Sequence, residues 1–207
     1  MQAFVESHVT KAALLTQLAA HAAADEIVKG QYWEKGKGCA VGCCVHGNDH
    51  MRFEPEFGIP WRVAWLADDL FECLDNGEAK VFAQDWIAAI PVGADLSRVY
   101  DAWCAWMLTD PKFGMVAIEH VSPCVLVMGS LFVRAAAGDE PSSTEWSEAA
   151  RDARDAWAAW AARDAWAARA ARDAWDAWAA RAARDEFSRA AAAKFIELLA
   201  AAPVPAA

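Results

Sequence analysis

"RDARDAWAAWAARDAWAA" (residues 151–168) is followed directly by "RAARDAWDAWAARAARDE" (residues 169–186), and 12 of the 18 aligned positions are identical. Eighteen residues make five full α-helical turns, so equivalent side chains of the two copies stack on one face. Trp157, Trp160, Trp175 and Trp178 then form an aromatic stripe, with Trp146 at its start and Trp166 pointing the other way. From Trp146 to Ala202 there is no glycine and no proline, and roughly half of the residues are alanine, the strongest helix former. Ser142 and Glu145, three residues apart ahead of this run, fit a reciprocal capping box. The i,i+4 pairs Arg151–Asp155, Arg169–Asp173, Arg172–Asp176 and Arg181–Asp185 carry the cation first, the weaker orientation. Each adds at most about 0.2–0.5 kcal/mol, so packing must hold the helix.

An unbroken helix over these residues would reach about 85 Å, against roughly 40–45 Å for the diameter of a compact domain of this length. It must therefore protrude, pair with another chain, or be kinked or broken, and residues 184–189, where the repeat ends, are the expected point. The row of tryptophans flanked by arginines is either core or a sticky recognition surface.

Helical periodicity continues upstream, with no convincing strand. Residues 6–30 place Val9, Ala13, Leu14, Leu18 and Ala22 on one stripe and stop at Gly30. Residues 58–77 put Pro60 in a first turn, direct Trp61, Trp65, Leu70, Phe71 and Leu74 toward a core, and end at an Asn76-Gly77 turn. "EAKVFAQDWIAAIPVGAD" and "LSRVYDAWCAWMLTDP" each read as a helix closed by proline or glycine. A further helix is expected over 114–137, kinked or split at Pro123. The fold expected is an all-α helical bundle with a long C-terminal Ala/Trp-rich helix. Residues 1–140 would form the core with a Cys/His loop at 36–50, residues 141–202 a repeat helix packed on or extending from it, and 203–207 a tail.

The 207 residues carry 19 Lys and Arg against 29 Asp and Glu, a formal charge of −10. That balance disfavours a grip on nucleic acid phosphates. The opening residues contain Glu6, His8 and Lys11 where an export signal needs an unbroken apolar run. The most apolar later stretch, 121–133, falls short of the ~20 residues of a membrane span. A cytoplasmic protein without membrane association is expected, and its six cysteines are then thiols, ligands or catalytic groups before they are disulfides.

"GKGCAVGCCVHGNDH" (residues 36–50) holds three of the cysteines and two of the five histidines. Three readings are open. Cys39, Cys43, His46 and His50, with Cys44 as a spare thiol, have the donor types for zinc, although only two residues separate the two ligand pairs. Alternatively, Gly36-Lys37-Gly38 brings backbone N–H groups, a helix start and the Lys37 charge to Cys39, lowering its pKa for nucleophilic work. His46, His50 or His120 would be the base and Asp49 or Asp68 its orienter. Third, the glycines simply make a tight turn in which Cys39 and Cys43 pack as small apolar groups. Cys73, Cys104 and Cys124 read as core residues.

The stretch from Tyr32 to Pro60, with Asp68-Asp69-Leu70-Phe71, "AIPVGADL" and "WMLTDP", resembles a group of bacterial and phage-encoded proteins that share the "GKGCAVGC" core and an alanine-rich Arg/Asp repeat at the C-terminus. The resemblance spans nearly the whole chain. It implies a prokaryotic or phage setting and brings no established activity; Cys44 departs from the hydroxyl or apolar residue expected there.

Two functions follow. The first is a non-enzymatic binding protein, a phage or mobile-element factor that sequesters or inhibits a partner. Its Cys39–His50 loop would be a pocket or metal-stabilised corner, with Lys37, Cys39, Arg52 and the tryptophans 157, 160, 175 and 178 in the binding surface. Its partner would be a protein or a small anionic ligand, and the C-terminal helix could also join two copies. The second is a small hydrolase or transferase, dependent on cysteine or metal, using Cys39, His46, Asp49 and His50 with Arg52 or Lys37 on an anionic substrate.

Overall fold

The computed structural model describes residues 2–5, 7–117, 123–152, 154 and 174–206, the last stretch from 183 onward with its side chains. The protein is all-α, with one minimal sheet among the described residues, and it divides into two compact units, Met1–Tyr100 with Ser188–Ala207, and Asp101–Phe187.

In the first unit, helix α1 (Lys11–Ala23) starts where the Thr10 hydroxyl accepts the Ala13 N–H, and it buries Leu14 and Leu18. It is shorter at both ends than the expected 6–30 segment. Beyond it the chain turns at Asp25 in a left-handed conformation and runs extended, so that Ile27 bridges Gly38. Contrary to the strand-free expectation, β1 (Trp33–Glu34) and β2 (Lys37–Gly38) pair antiparallel around a turn with Lys35 and Gly36 at positive φ. The short helix α2 (Ala40–Val45) follows, then a 3-10 turn (His50–Arg52) and α3 (Phe53–Phe57).

Helix α4 (Trp61–Cys73) buries Val63, Ala64, Leu66, Ala67, Asp68, Leu70 and Phe71. Trp61 and Trp65, expected inside, lie on the opposite face and are exposed. Asn76 and Gly77 do not form the expected turn: Asp75 accepts the Glu78 N–H and they become the first residues of α5 (Asn76–Ala89). The far end of α5 is closed by Lys11, whose ammonium donates to the carbonyls of Ala88 and Ile90. Trp86 sits fully buried at the centre, with its ring centroid 5.7 Å from that of Phe53 and 6.4 Å from that of Phe195. The chain's last residues belong to this core as well: Leu199 is buried and the Pro203 carbonyl accepts from Asp95 N–H.

Helix α6 (Val99–Thr109) leads into the second unit. There the expected helix over 114–137 is a 3-10 turn (Met115–Ala117) and α7 (Pro123–Ala137), with proline at the first helical position, the place where its missing N–H costs nothing. Residues 143–152 are helical (α8) and begin with the predicted capping box. Ser142 N–H and Oγ–H both donate to Glu145, and Glu145 N–H donates to Ser142 Oγ. Arg134 also reaches Glu145, and these partners hold its carboxyl down at about 2.

Helix α9 (Ala174–Ala200) runs through residues 184–189 without interruption, so the break expected there does not occur. Asp185 to Arg189 are good enough helix formers that the end of the repeat pattern does not end the helix. The stripe residues Trp157 and Trp160, Trp166, His120 and the repeat's i,i+4 pairs lie outside the described residues, as do the side chains of Trp175 and Trp178. Among the described residues no helix is long and apolar enough to cross a membrane.

Candidate functional site

The cysteine- and histidine-rich stretch folds around α2, a six-residue helix, every residue of which is buried. So short a helix cannot hold itself together, and its orphan end groups need partners. Cys39 is the N-cap: its sulfur accepts the Gly42 N–H at 3.4 Å. At the other end, Gln17 Nε2 donates to the carbonyls of Cys43 (2.6 Å) and Cys44 (2.9 Å), and Arg52 Nη1 donates to that of Val45 (2.6 Å). Arg52 is further tied to Glu56 at 2.6 Å. It closes a helix here, where the sequence suggested an anion-holding role.

The two inner glycines of "GKGCAVGC" have a steric cause. A Cβ on Gly38 would stand 2.0 Å from the Tyr32 carbonyl oxygen, and one on Gly42 only 1.6 Å from it. The Tyr32 backbone lies across the motif, and Cys39 N–H donates to the carbonyls of Gln31 (2.7 Å) and Tyr32 (3.2 Å). Only glycine allows that approach.

Two polar clusters flank α2. On one side, the Cys39 thiol faces Asp68 of α4, and Asp68 Oδ2 lies 3.2 Å from His50 Nε2. Cys39 and Asp68 are buried, whereas Tyr32, 47% exposed, sets its ring edge-on to His50 at 5.3 Å between centroids. Asp68 Oδ1 has no N–H or O–H partner among the described residues. Burial pushes the Cys39 thiol far up in pKa, and the Asp68 carboxylate adds to this; the N–H groups at the start of α2 oppose the shift without overcoming it. The sequence expectation of a lowered thiol pKa is therefore reversed. The helix start is present, but Lys37 is exposed on β2, where its charge bears on Asp25. Asp68 also raises the Tyr32 hydroxyl, and it raises Asp69 in addition to burial.

On the other side, His21 of α1 places Nδ1 2.7 Å from Glu26 Oε2 and Nε2 2.9 Å from His46 Nε2. His46 is the α2 C-cap in a left-handed conformation (φ 46°), and its ring stacks on Trp33 with centroids 4.6 Å apart. Burial, then the neighbouring His21 and Arg52, push His46 below the usual histidine range. Beneath this cluster the Cys43 thiol donates to the Gly38 carbonyl, and burial raises it to about 12. Cys44 donates to Ala40 O and is raised well above a free thiol, again by burial.

The four expected zinc ligands thus turn to separate partners: Cys39 and His50 to Asp68, Cys43 to a backbone carbonyl, His46 to His21. Among the described residues no three His, Cys, Asp or Glu side chains group closely enough to hold a metal ion. Asp49 is no orienter for His50, since it accepts the Met51 N–H as cap of the 3-10 turn. Of the other cysteines Cys104 is buried, Cys124 is intermediate and Cys73, expected in the core, is exposed.

Sequence reasoning missed Gln17, His21, Glu26 and Tyr32. For the first two a signal exists: Gln17 and His21 are spaced i,i+4 beside the Leu14–Leu18 stripe, a polar edge facing the same neighbour as the core. No protein-family model, curated protein or solved structure matches the chain.

Proposed function

We propose that the protein is a non-enzymatic binding protein that sequesters or inhibits a protein partner, with the Cys39–His50 segment as a structural corner beneath its surface. The observation that carries this reading is the order Cys39–Asp68–His50. In a nucleophilic site the imidazole stands between thiol and carboxylate, taking the proton from one and being oriented by the other. Here the carboxylate occupies the middle, so it holds the thiol protonated and takes up the imidazole nitrogen that would be the base. Of the cations offered for an anionic ligand, Arg52 closes α2 and pairs with Glu56, and Lys37 stands exposed on β2. Unit 1 presents exposed aromatic side chains to solvent, Tyr32, Trp61 and Trp65, among charges of both signs that include Asp69 and Arg62, whose guanidinium lies 5.5 Å from the Trp61 ring centroid. Such a surface suits a protein partner that brings apolar groups to the aromatic rings.

The test is alkylation of the native protein with iodoacetamide from pH 6 to 9, each cysteine followed by peptide mass spectrometry. Cys73, which is exposed, should be alkylated in the native protein, while Cys39, Cys43 and Cys44 stay protected until the chain is unfolded. Rapid modification of Cys39 with a midpoint below about pH 7 would be the mark of an activated thiolate and would move the assignment to the cysteine-dependent hydrolase or transferase.

A further inference from the structure

Opposite the Asp68 cluster, on the accessible side of α2, three side chains form a relay: Glu26, His21 and His46. We propose that His21 and His46 are a binding site for a divalent transition-metal ion of the zinc, nickel and copper class, through their two Nε2 atoms, with Glu26 as the positioning residue behind His21.

The argument starts from protons. Glu26 accepts the Nδ1–H of His21 at 2.7 Å, so in the neutral imidazole the Nε2 lone pair is free and points toward His46. His46 Nε2 is 2.9 Å away, and one proton between the two nitrogens makes that contact a hydrogen bond. A divalent ion can displace that proton to solvent and bind beside the line between the nitrogens once both rings turn toward it. Metal–imidazole bonds of about 2.0–2.1 Å set two adjacent nitrogens roughly 2.9 Å apart at a right angle and about 3.3 Å apart at the tetrahedral angle. The observed separation falls a few tenths of an ångström short of the tetrahedral one, and because the two rings face each other nearly end to end, with centroids 5.1 Å apart, both must also tilt to aim their lone pairs at one ion. A carboxylate on the far nitrogen of a ligating histidine is the usual device that fixes its tautomer and raises its basicity. Imidazole suits zinc, copper and nickel alike.

The surroundings favour the same occupant. The left-handed backbone at His46 and the Trp33 ring stacked on its imidazole hold that ring in place, and Trp33 meets His21 edge-on at 5.5 Å. A left-handed residue is a common way for a helix to end, and at α2 it fixes where the His46 ring leaves the chain. His46 is exposed, which gives an ion direct entry. With only two protein ligands, the remaining positions belong to water or to groups of a partner. This site shares only His46 with the zinc set suggested by the sequence, and it stands whether or not the binding-protein reading holds.

The test is isothermal titration of the full-length, untagged protein with Ni²⁺ at pH 7.5, beside the variants His21→Gln, His46→Asn, Glu26→Gln and Cys43→Ser. Asparagine tolerates the left-handed conformation, and circular dichroism checks each fold. One ion per chain is expected, weakened at least tenfold by either histidine substitution and about tenfold by Glu26→Gln. Cys43→Ser should leave it unchanged, and binding should fade as pH falls through the histidine range, because both imidazoles must be unprotonated to ligate. Absence of binding up to roughly 1 mM Ni²⁺, binding that survives both histidine substitutions in folded protein, or binding abolished by Cys43→Ser instead would overturn the assignment.

Discussion

Replacing Gly42 by alanine tests the central steric claim, because the two effects it produces have opposite signs. In an ordinary helix interior the change stabilises by about 1 kcal/mol. At Gly42 the new Cβ would stand 1.6 Å from the Tyr32 carbonyl oxygen and 2.6 Å from its carbon, where ordinary contact begins near 3.4 Å. The obstacle is backbone, so it cannot swing aside as a side chain would: the 31–33 segment must recede by about 1.8 Å, placing the cost toward the upper part of the usual 1–3 kcal/mol for overpacking. Moving that segment also weakens the Cys39 N–H bond to Tyr32 O, worth about 1 kcal/mol more. Against the propensity gain, the net is a destabilisation of about 2–3 kcal/mol. Urea unfolding followed by circular dichroism should show a midpoint lower by about 1 M or more at ordinary m-values. Gly77→Ala, where the nearest atom to a new Cβ is the Asp75 side chain at 3.4 Å, is the control and should be neutral or stabilising. A Gly42→Ala protein as stable as the wild type would mean that Tyr32 does not lie across the motif.

Two further outcomes follow from the buried thiols and the capped helix. Cys39, Cys43 and Cys44 all have folded-state pKa values above those of unfolded thiols. Their contribution is fully present below the unfolded value and is lost as pH rises toward the folded one. Above about pH 9, stability should fall by up to about 1.4 kcal/mol per pH unit per thiol. Urea midpoints from pH 7 to 10.5 measure this, and Cys44→Ala should flatten the slope; a pH-independent midpoint would contradict the burial. Gln17→Ala removes the donor to two carbonyls at the end of α2 and should cost about 1–3 kcal/mol in the same assay, so a change below about 0.5 kcal/mol would show that solvent replaces the amide.

The helices were legible because their signals are local. The Ser142–Glu145 box and the Leu14–Leu18 stripe act within one or two turns, and each is found as the pattern predicts, whereas Pro123, expected to kink or split a helix, starts one. Errors arose where one residue admits two local roles. Asn76-Gly77 is a turn signal, but Asp75 just before it is a good cap and decides the outcome. Trp61 and Trp65 are large and apolar, yet a helix buries a face rather than a composition, and the buried face is fixed by Val63, Ala67, Leu70 and Phe71. In the site, Cys39 as a helix start was readable from the glycines before it. Its partners were not, because His50 meets Asp68 across 18 residues and His21 meets His46 across 25. Pairings at that distance are set by how α1 and α4 pack on α2, about which the spacing within residues 36–50 says nothing.

The same packing explains why a segment so dense in reactive residue types is chemically quiet on one side and open on the other. Helix α2 is too short to stand without its caps, so α1 and the 3-10 turn must come close enough to supply them while α4 helps to cover it, and that closeness buries Cys39, Cys43 and Cys44. Burial raises a thiol and removes its nucleophilic form, so the stability of the corner and the reactivity of Cys39 are opposed. His46 escapes this conflict because burial pushes its imidazole toward the neutral form, the state that ligates a metal. One packing arrangement therefore silences the sulfur and leaves the His46 imidazole, at the exposed end of α2, in the form that can exchange its bond to His21 for an ion.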